Sequence, residues 1–429
     1  MKEQIIIQGG KKLSGTVKIS GSKNAALPIM AATILSDSEI TLSNLPHLTD
    51  ISIMLNLLLS LGAKVNVKGY GSENNSRGRT VSIFPEHINN TEAEYHIVSK
   101  MRASVVVLGP LLSKFKKAKV SLPGGCAIGA RPVNLHLMAL EKLGAKFKIE
   151  NGYIIAEAPH GLTGDIVEFP TISVGATENI LMAACLAKGQ TIIKNAAIEP
   201  EVTDLVNFLN DMGADITLKD RSFIVNGVKS LSSTNYEILP DRIEAGSYAV
   251  AALATKGNIE LLKVSPDILD PIKTHLIACG ANIVPGKDNI KISYSSNIDT
   301  KNIQIKTAAY PGFPTDMQAQ LATLLALQNF SSTIEEAIFE NRFMHVAELN
   351  RMGANIQVSG NKLLINSGSH FTGAEVNASD LRASMALVIA GLAANKTTII
   401  NNIFHLDRGY EALEEKLFKC GAEISRKYN

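Results

Sequence analysis

The chain has 429 residues, 45% of them apolar and 19% charged, with 42 Lys plus Arg against 40 Asp plus Glu. That is enough for about two to four domains with a sizeable core, so general disorder is excluded. A formal charge of +2 lacks the basic excess of a nucleic-acid coat. Four cysteines with no C-x-x-C pair argue against a disulfide scaffold and a zinc site.

In chain order, Met1–Gly10 reads as a short strand rather than a secretion signal. The apolar run from Ala25 to Leu35 falls short of the ~20 residues that span a bilayer. A soluble protein of a reducing compartment is expected. A (Leu/Met/Cys)-Gly-Ala pattern then recurs with its glycine at Gly62, Gly144, Gly213, Gly280, Gly353 and Gly421, at intervals of 82, 69, 67, 73 and 68 residues. Each copy follows an amphipathic stretch, such as 201–212 with Val202, Leu205, Val206 and Leu209 on one face. The glycine stands where a helix C-cap is expected, and alternating hairpin strands follow, as in 354–365.

Each copy is also preceded by a stretch that is apolar almost all round: 25–35, 104–112, 176–187, 247–254, 317–327 and 383–394. A helix without a polar face is buried. The repeated unit is therefore strand, buried helix, strand, amphipathic helix, two strands. Only eight residues follow Gly421, so the last unit lacks a strand, and Glu3–Gln8 is predicted to supply it. Six units divide into two three-unit domains, 21–237 and 1–20 plus 238–429. The polar stretch 70–79 is predicted to be an exposed loop.

Ionisable residues gather at the starts of the buried helices: Lys23-Asn24, Arg102, Asp316 and Arg382. Cations there oppose the helix dipole. They read either as solvated surface residues or as additions to the anion-binding capacity of free helix N–H groups. Asp316 reads equally as a helix cap or as a base. The segment 407–411 is predicted to open the last amphipathic helix, as a cap with a surface ion pair or as a further phosphate clamp. Cys185, Cys279 and Cys420 fall on apolar positions and read as core. Cys126 differs, because it lies in a Gly/Pro-rich loop, 122–132, five residues before Arg131. A loop thiol near a cation and a helix start has the setting of a reactive one. The nine histidines form no metal motif.

Gly21-Ser22-Lys23-Asn24-Ala25-Ala26-Leu27-Pro28 and the cysteine loop Pro123-Gly124-Gly125-Cys126-Ala127-Ile128-Gly129-Ala130-Arg131-Pro132 resemble the UDP-N-acetylglucosamine 1-carboxyvinyltransferases, enolpyruvyl transferases of peptidoglycan synthesis. The runs 313–320, 338–345, 380–384 and 407–411 match as well. The resemblance implies an inside-out α/β barrel in two domains that close over their substrates. It implies transfer of enolpyruvyl from phosphoenolpyruvate to the 3-hydroxyl of UDP-N-acetylglucosamine with release of phosphate, in the bacterial cytoplasm. No cofactor or metal is implied, since phosphoenolpyruvate is a co-substrate. Nor is a nucleic-acid or membrane partner.

By position, the resemblance gives the phosphoenolpyruvate phosphate to Lys23, Arg131 and Arg408, and its carboxylate to Arg382, with Asn24 lining the site. Cys126 becomes the proton donor to the methylene, able to form a covalent adduct. Asp316 takes or orients the sugar hydroxyl proton. Arg102, Arg131, Pro132, Val133, Asn134, Leu135, Asp316 and Ile338 contact the sugar nucleotide. Asn134 departs from the Asp common in this family and offers a hydrogen bond without charge. A shikimate 3-phosphate transferase, similar in fold, lacks the cysteine loop. A nucleic-acid clamp would need a basic stripe, and an inactive binding protein would be expected to have lost Lys23, Cys126, Asp316 or Arg408.

Overall fold

A computed structural model describes residues 3–69, 78–122, 133–296, 298 and 302–428. They form two compact units. One takes the described residues up to Ile19 and from Pro240 onward, the other those from Ser20 to Leu239.

The described strands form six four-stranded sheets with one recurring order. A short edge strand pairs parallel with an inner strand, and an antiparallel pair of strands, a hairpin in five of the six, completes the sheet. In the sheet Ile166–Glu168, Gln190–Lys194, Ser222–Asn226, Asp215–Lys219, the first two strands are parallel and the rest antiparallel. The predicted exchange of the N-terminal strand is present. Glu3–Gln8 lies between Thr397–Asn401 and Glu423–Tyr428, antiparallel to both. Its alternation explains the placement: Ile5 and Ile7 are fully buried, while Gln4 and Gln8 stay at or near the surface.

A second exchange was not foreseen. The strand Ser14–Lys18 precedes the first buried helix in sequence but pairs parallel with Asn258–Leu262. The first repeat instead takes its parallel strand from Asn235–Glu237, which pairs with Thr41–Ser43.

In one unit the helices Lys23–Ala32, Leu108–Phe115 and Val174–Ala184 form the interior. In the other, Arg242–Ala254, Gln318–Ala326 and Leu381–Ala393 pack on one another. The helices lie inside and the sheets outside, because these helices have no polar face to give to water. Leu381–Ala393 buries every residue from Arg382 to Leu392. The six repeat glycines all have φ between 87° and 107°, the left-handed conformation that ends a helix and that a Cβ disfavours.

Four local expectations are corrected. The second buried helix begins only at Leu108, after a 3-10 segment Arg102–Val107. The β-branched run Val105-Val106-Val107 is a poor helix former, and Pro110 is tolerated only in a first turn. Asp316 lies in a 3-10 turn, Thr315–Met317, ahead of the helix Gln318–Ala326. Residues 407–411 do not open the last helix: Arg408 ends a 3-10 segment, Ile403–Arg408, and the helix starts at Leu413 after Ala412 takes φ 47°. Finally, Arg79 is no loop residue. It begins the strand Arg79–Phe84, is buried, and donates to the Pro46 carbonyl at 3.0 Å. Of the rest of the expected loop, 70–77 lies outside the described residues.

Candidate active site

Asp316 sits where three stretches of chain meet. Its Oδ1 lies 2.7 Å from Arg342 Nη2 and its Oδ2 lies 2.7 Å from Arg382 Nη2. Both arginine side chains are only 6% exposed, while the Asp316 side chain keeps 26% of its surface open. Burial opposes the charge on Asp316. The guanidiniums of Arg382 and Arg342 overcome it and hold the carboxyl well below the usual carboxylate range. Asp316 is thus a partly open, fully ionised carboxylate backed by two buried cations.

Each arginine is aimed by further bonds. Arg382 follows Asp380, whose Oδ1 caps the helix Leu381–Ala393 through the amides of Arg382 and Ala383. Its Nη1 is 3.4 Å from the Tyr410 hydroxyl, and its guanidinium lies 5.9 Å from that ring. Ser247 Oγ donates to the Ile243 carbonyl at 2.7 Å, so in the 2.9 Å contact between Ser247 and Tyr410 the tyrosine is the donor. Gln320 Nε2 reaches the Tyr410 hydroxyl at 3.2 Å and the Asp316 carbonyl at 2.9 Å. Arg342 donates to Thr315 Oγ1 at 2.8 Å and lies 5.1 Å from the Phe339 ring.

Of the other residues singled out in this unit, Ile338 is 42% exposed. Arg408 is half-buried, two residues before Tyr410. Tyr410, Arg342, Gln320, Ser247 and Glu336 were not assigned roles from the sequence. Arg342 and Tyr410 lie inside the matching runs 338–345 and 407–411 and could have been found there. Gln320 likewise ends the matching run 313–320, whereas Ser247 and Glu336 carry no local pattern that marks them.

In the other unit, Lys23 opens the helix Lys23–Ala32, which Ser22 caps by accepting from the Ala25 amide at 3.4 Å. The approach is close: a Cβ at Gly21 would stand 1.9 Å from the Asn44 carbonyl oxygen, so only glycine fits. Lys23 Nζ lies 3.4 Å from Asp50 Oδ2, with the side chains 12% and 3% exposed. Asn24 is half-buried in the same first turn. Arg102 opens its 3-10 segment and acts electrostatically on His136. Val133 precedes the helix Asn134–Lys142, whose first residues, exposed Asn134 and half-buried Leu135, are both expected ligand contacts. His136, one residue on, is buried and accepts from Asn179 Nδ2 at 2.9 Å. Asn179 Nδ2 is a donor there because its Oδ1 receives the Gly109 amide. Cys126, Arg131 and Pro132 lie outside the described residues.

The three other cysteines are buried. Burial pushes the thiols of Cys185 and Cys279 up to about 12, which makes them inert at neutral pH. Burial raises that of Cys420 too.

Comparison with known proteins decides the family. Residues 7–417 match the family described as EPSP synthase (3-phosphoshikimate 1-carboxyvinyltransferase). The chain is 52% identical over 426 residues to a UDP-N-acetylglucosamine 1-carboxyvinyltransferase of Pelagibacter ubique, covering 99% of each chain. It is 50% identical over 425 residues to one of Paramagnetospirillum magneticum, covering 99% of this chain and 98% of the relative. The chain belongs to the UDP-N-acetylglucosamine 1-carboxyvinyltransferase family. The fold of this enolpyruvyl transferase is also that of solved structures. The enolpyruvyl transferase NikO from Streptomyces tendae superposes with a TM-score of 0.88 at 24% identity, covering 99% of each chain. An EPSP synthase from Acinetobacter baumannii superposes with a TM-score of 0.71 at 16% identity, covering all of both chains. The expected inside-out α/β architecture is therefore the observed one. No described helix is long and apolar enough to cross a membrane.

Proposed function

We propose that this enzyme transfers the enolpyruvyl group of phosphoenolpyruvate to the 3-hydroxyl of UDP-N-acetylglucosamine and releases phosphate, the first committed step of peptidoglycan precursor synthesis in the bacterial cytoplasm. The observation that carries the reading is identity of about one residue in two, over 99% of the chain, to relatives bearing that activity as their name. The family description names shikimate 3-phosphate chemistry. The loop 123–132 with Cys126, absent from the shikimate-type enzymes the chain resembles in fold, favours the sugar nucleotide.

In this reading Lys23, Arg131 and Arg408 hold the phosphate of phosphoenolpyruvate, Arg382 its carboxylate, and Asn24 lines the site. Arg102, Arg131, Pro132, Val133, Asn134, Leu135 and Ile338 contact UDP-N-acetylglucosamine. Cys126 delivers a proton to the methylene carbon while Asp316 takes the proton of the sugar hydroxyl, whose oxygen bonds to the neighbouring carbon. Loss of phosphate and of one methyl proton then restores the double bond on the new ether. The resting bridge makes Asp316 a weak base, because two cations stabilise its charge. An anionic substrate that engages Arg382 draws one cation away and raises the basicity of Asp316 as the site fills. The transfer calls for no redox cofactor, because phosphate is the leaving group and the reaction is redox-neutral.

Proton NMR of the product tests the assignment. Vinylic protons on a carboxyvinyl ether at the 3-oxygen of the sugar are expected, and an ether at any other oxygen would contradict it.

A further inference from the structure

Glu336 lies just past the strand Ser332–Glu335 and is 3% exposed. Both of its oxygens are used. Oε1 accepts from Thr307 Oγ1 at 2.8 Å, from the Ile338 amide at 2.9 Å and from the Phe339 amide at 3.1 Å. Oε2 accepts from Thr315 Oγ1 at 2.8 Å. The direction of each bond follows from proton counting. Thr315 Oγ1 receives Arg342 Nη1 at 2.8 Å, so its own proton goes to Glu336. Thr307 Oγ1 receives the Ala337 amide at 2.8 Å, so its proton goes to Glu336 as well. Four donors converge on one carboxylate that has nothing to donate.

This carboxylate therefore holds two structures that the reaction needs. Through Oε1 it closes the turn that carries Ile338. Through Oε2 and Thr315 it fixes the Arg342 guanidinium, whose other nitrogen sits on Asp316. We propose that Glu336 is a positioning residue for enolpyruvyl transfer: from one buried carboxylate it aims Arg342 at Asp316 and shapes the turn that presents Ile338 to the sugar nucleotide. The proposal rests on the roles given above to Asp316 and Ile338.

The charged groups facing Asp316 are Arg342 and Arg382. Tyr410 and Asp241 act on Arg382, and His345 feels both Asp380 and Arg342. Loosening Arg342 removes one of the two cations that keep Asp316 ionised, so the acidic limb of the rate profile moves to higher pH.

The test uses the full-length enzyme with Glu336→Gln, Glu336→Ala, Thr315→Val and Thr315→Ser. Glu336→Gln keeps an acceptor oxygen for the turn but turns a donor toward Thr315. It is expected to lower kcat about 10- to 100-fold, the cost of a slightly misplaced reacting group, and to move the acidic limb upward with the KM for UDP-N-acetylglucosamine unchanged. Thr315→Val, which cuts the same relay without touching the turn, should do likewise, and Thr315→Ser should restore both readings. Glu336→Ala should in addition raise the KM for the sugar nucleotide. Unchanged kcat and an unmoved limb in both Glu336→Gln and Thr315→Val, with wild-type enzyme active, would overturn this proposal alone. So would losses that Thr315→Ser fails to restore while the limb stays in place. Wild-type protein that transfers nothing to the sugar nucleotide would overturn the proposed function and this inference together.

Discussion

Arg382 Nη2 stands 2.7 Å from Asp316 Oδ2, a buried cation closed on the carboxylate assigned as base. Together with Arg342 it keeps Asp316 charged at every physiological pH. In the proposed mechanism the contact couples catalysis to stability, because removing the carboxylate leaves two buried guanidiniums without their counter-charge.

Asp316→Asn is therefore expected to act twice. Loss of the proton acceptor should lower kcat by at least ~100-fold. Leaving the buried arginines uncompensated should cost about 3 kcal/mol in unfolding free energy. The native carboxyl titrates below its unfolded value of about 3.9. Its stabilisation is thus present at neutral pH and is lost only as pH falls through the lowered native value. Urea unfolding of both proteins should show a gap that stays constant between roughly pH 8 and pH 5.

Cys126→Ser should lose most activity and resist alkylating inactivators such as the epoxide fosfomycin. The contrast within the chain supports this, since burial makes the thiols of Cys185 and Cys279 unreactive. Mass spectrometry of the fosfomycin-treated protein should find one adduct, on Cys126, and none in the Ser variant. Full alkylation of the variant would refute Cys126 as the reactive thiol.

His136 gives a test of pH-dependent stability. Burial, helped by the charge of Arg102, pushes its imidazole down to about 4 from 6.5. The unfolded chain binds the proton more readily across that window, so this residue's share of stability is full above about pH 6.5 and drains away as pH falls toward 4, by roughly 1.4 kcal/mol per pH unit. His136→Gln, whose amide oxygen accepts the same bond from Asn179, should show a shallower loss of unfolding free energy than wild type over that range. Parallel curves would contradict a neutral native His136.

Much of this was legible in the chain because repetition amplifies weak signals. One Gly after one helix says little, but six at near-even spacing mark a unit, and the short count after Gly421 revealed the strand borrowed from Glu3–Gln8. The exchange of Ser14–Lys18 was hidden, because pairing partners of edge strands leave no trace in alternation. The segment 407–411 misled for a local reason: its charges look like a helix start, but Ala412 breaks the backbone first. Asp316 and Arg382 were visible as charges beside apolar helices. Their contact was not, since it joins residues 66 apart. Glu336 was invisible altogether, because a carboxylate after a strand looks solvent-facing until the donors from distant turns are in place.

The most direct measurement is phosphate release from phosphoenolpyruvate with either UDP-N-acetylglucosamine or shikimate 3-phosphate as acceptor. Release with the sugar nucleotide and none with shikimate 3-phosphate is the result this account predicts. Release with shikimate 3-phosphate alone, or with neither from folded protein, would contradict it.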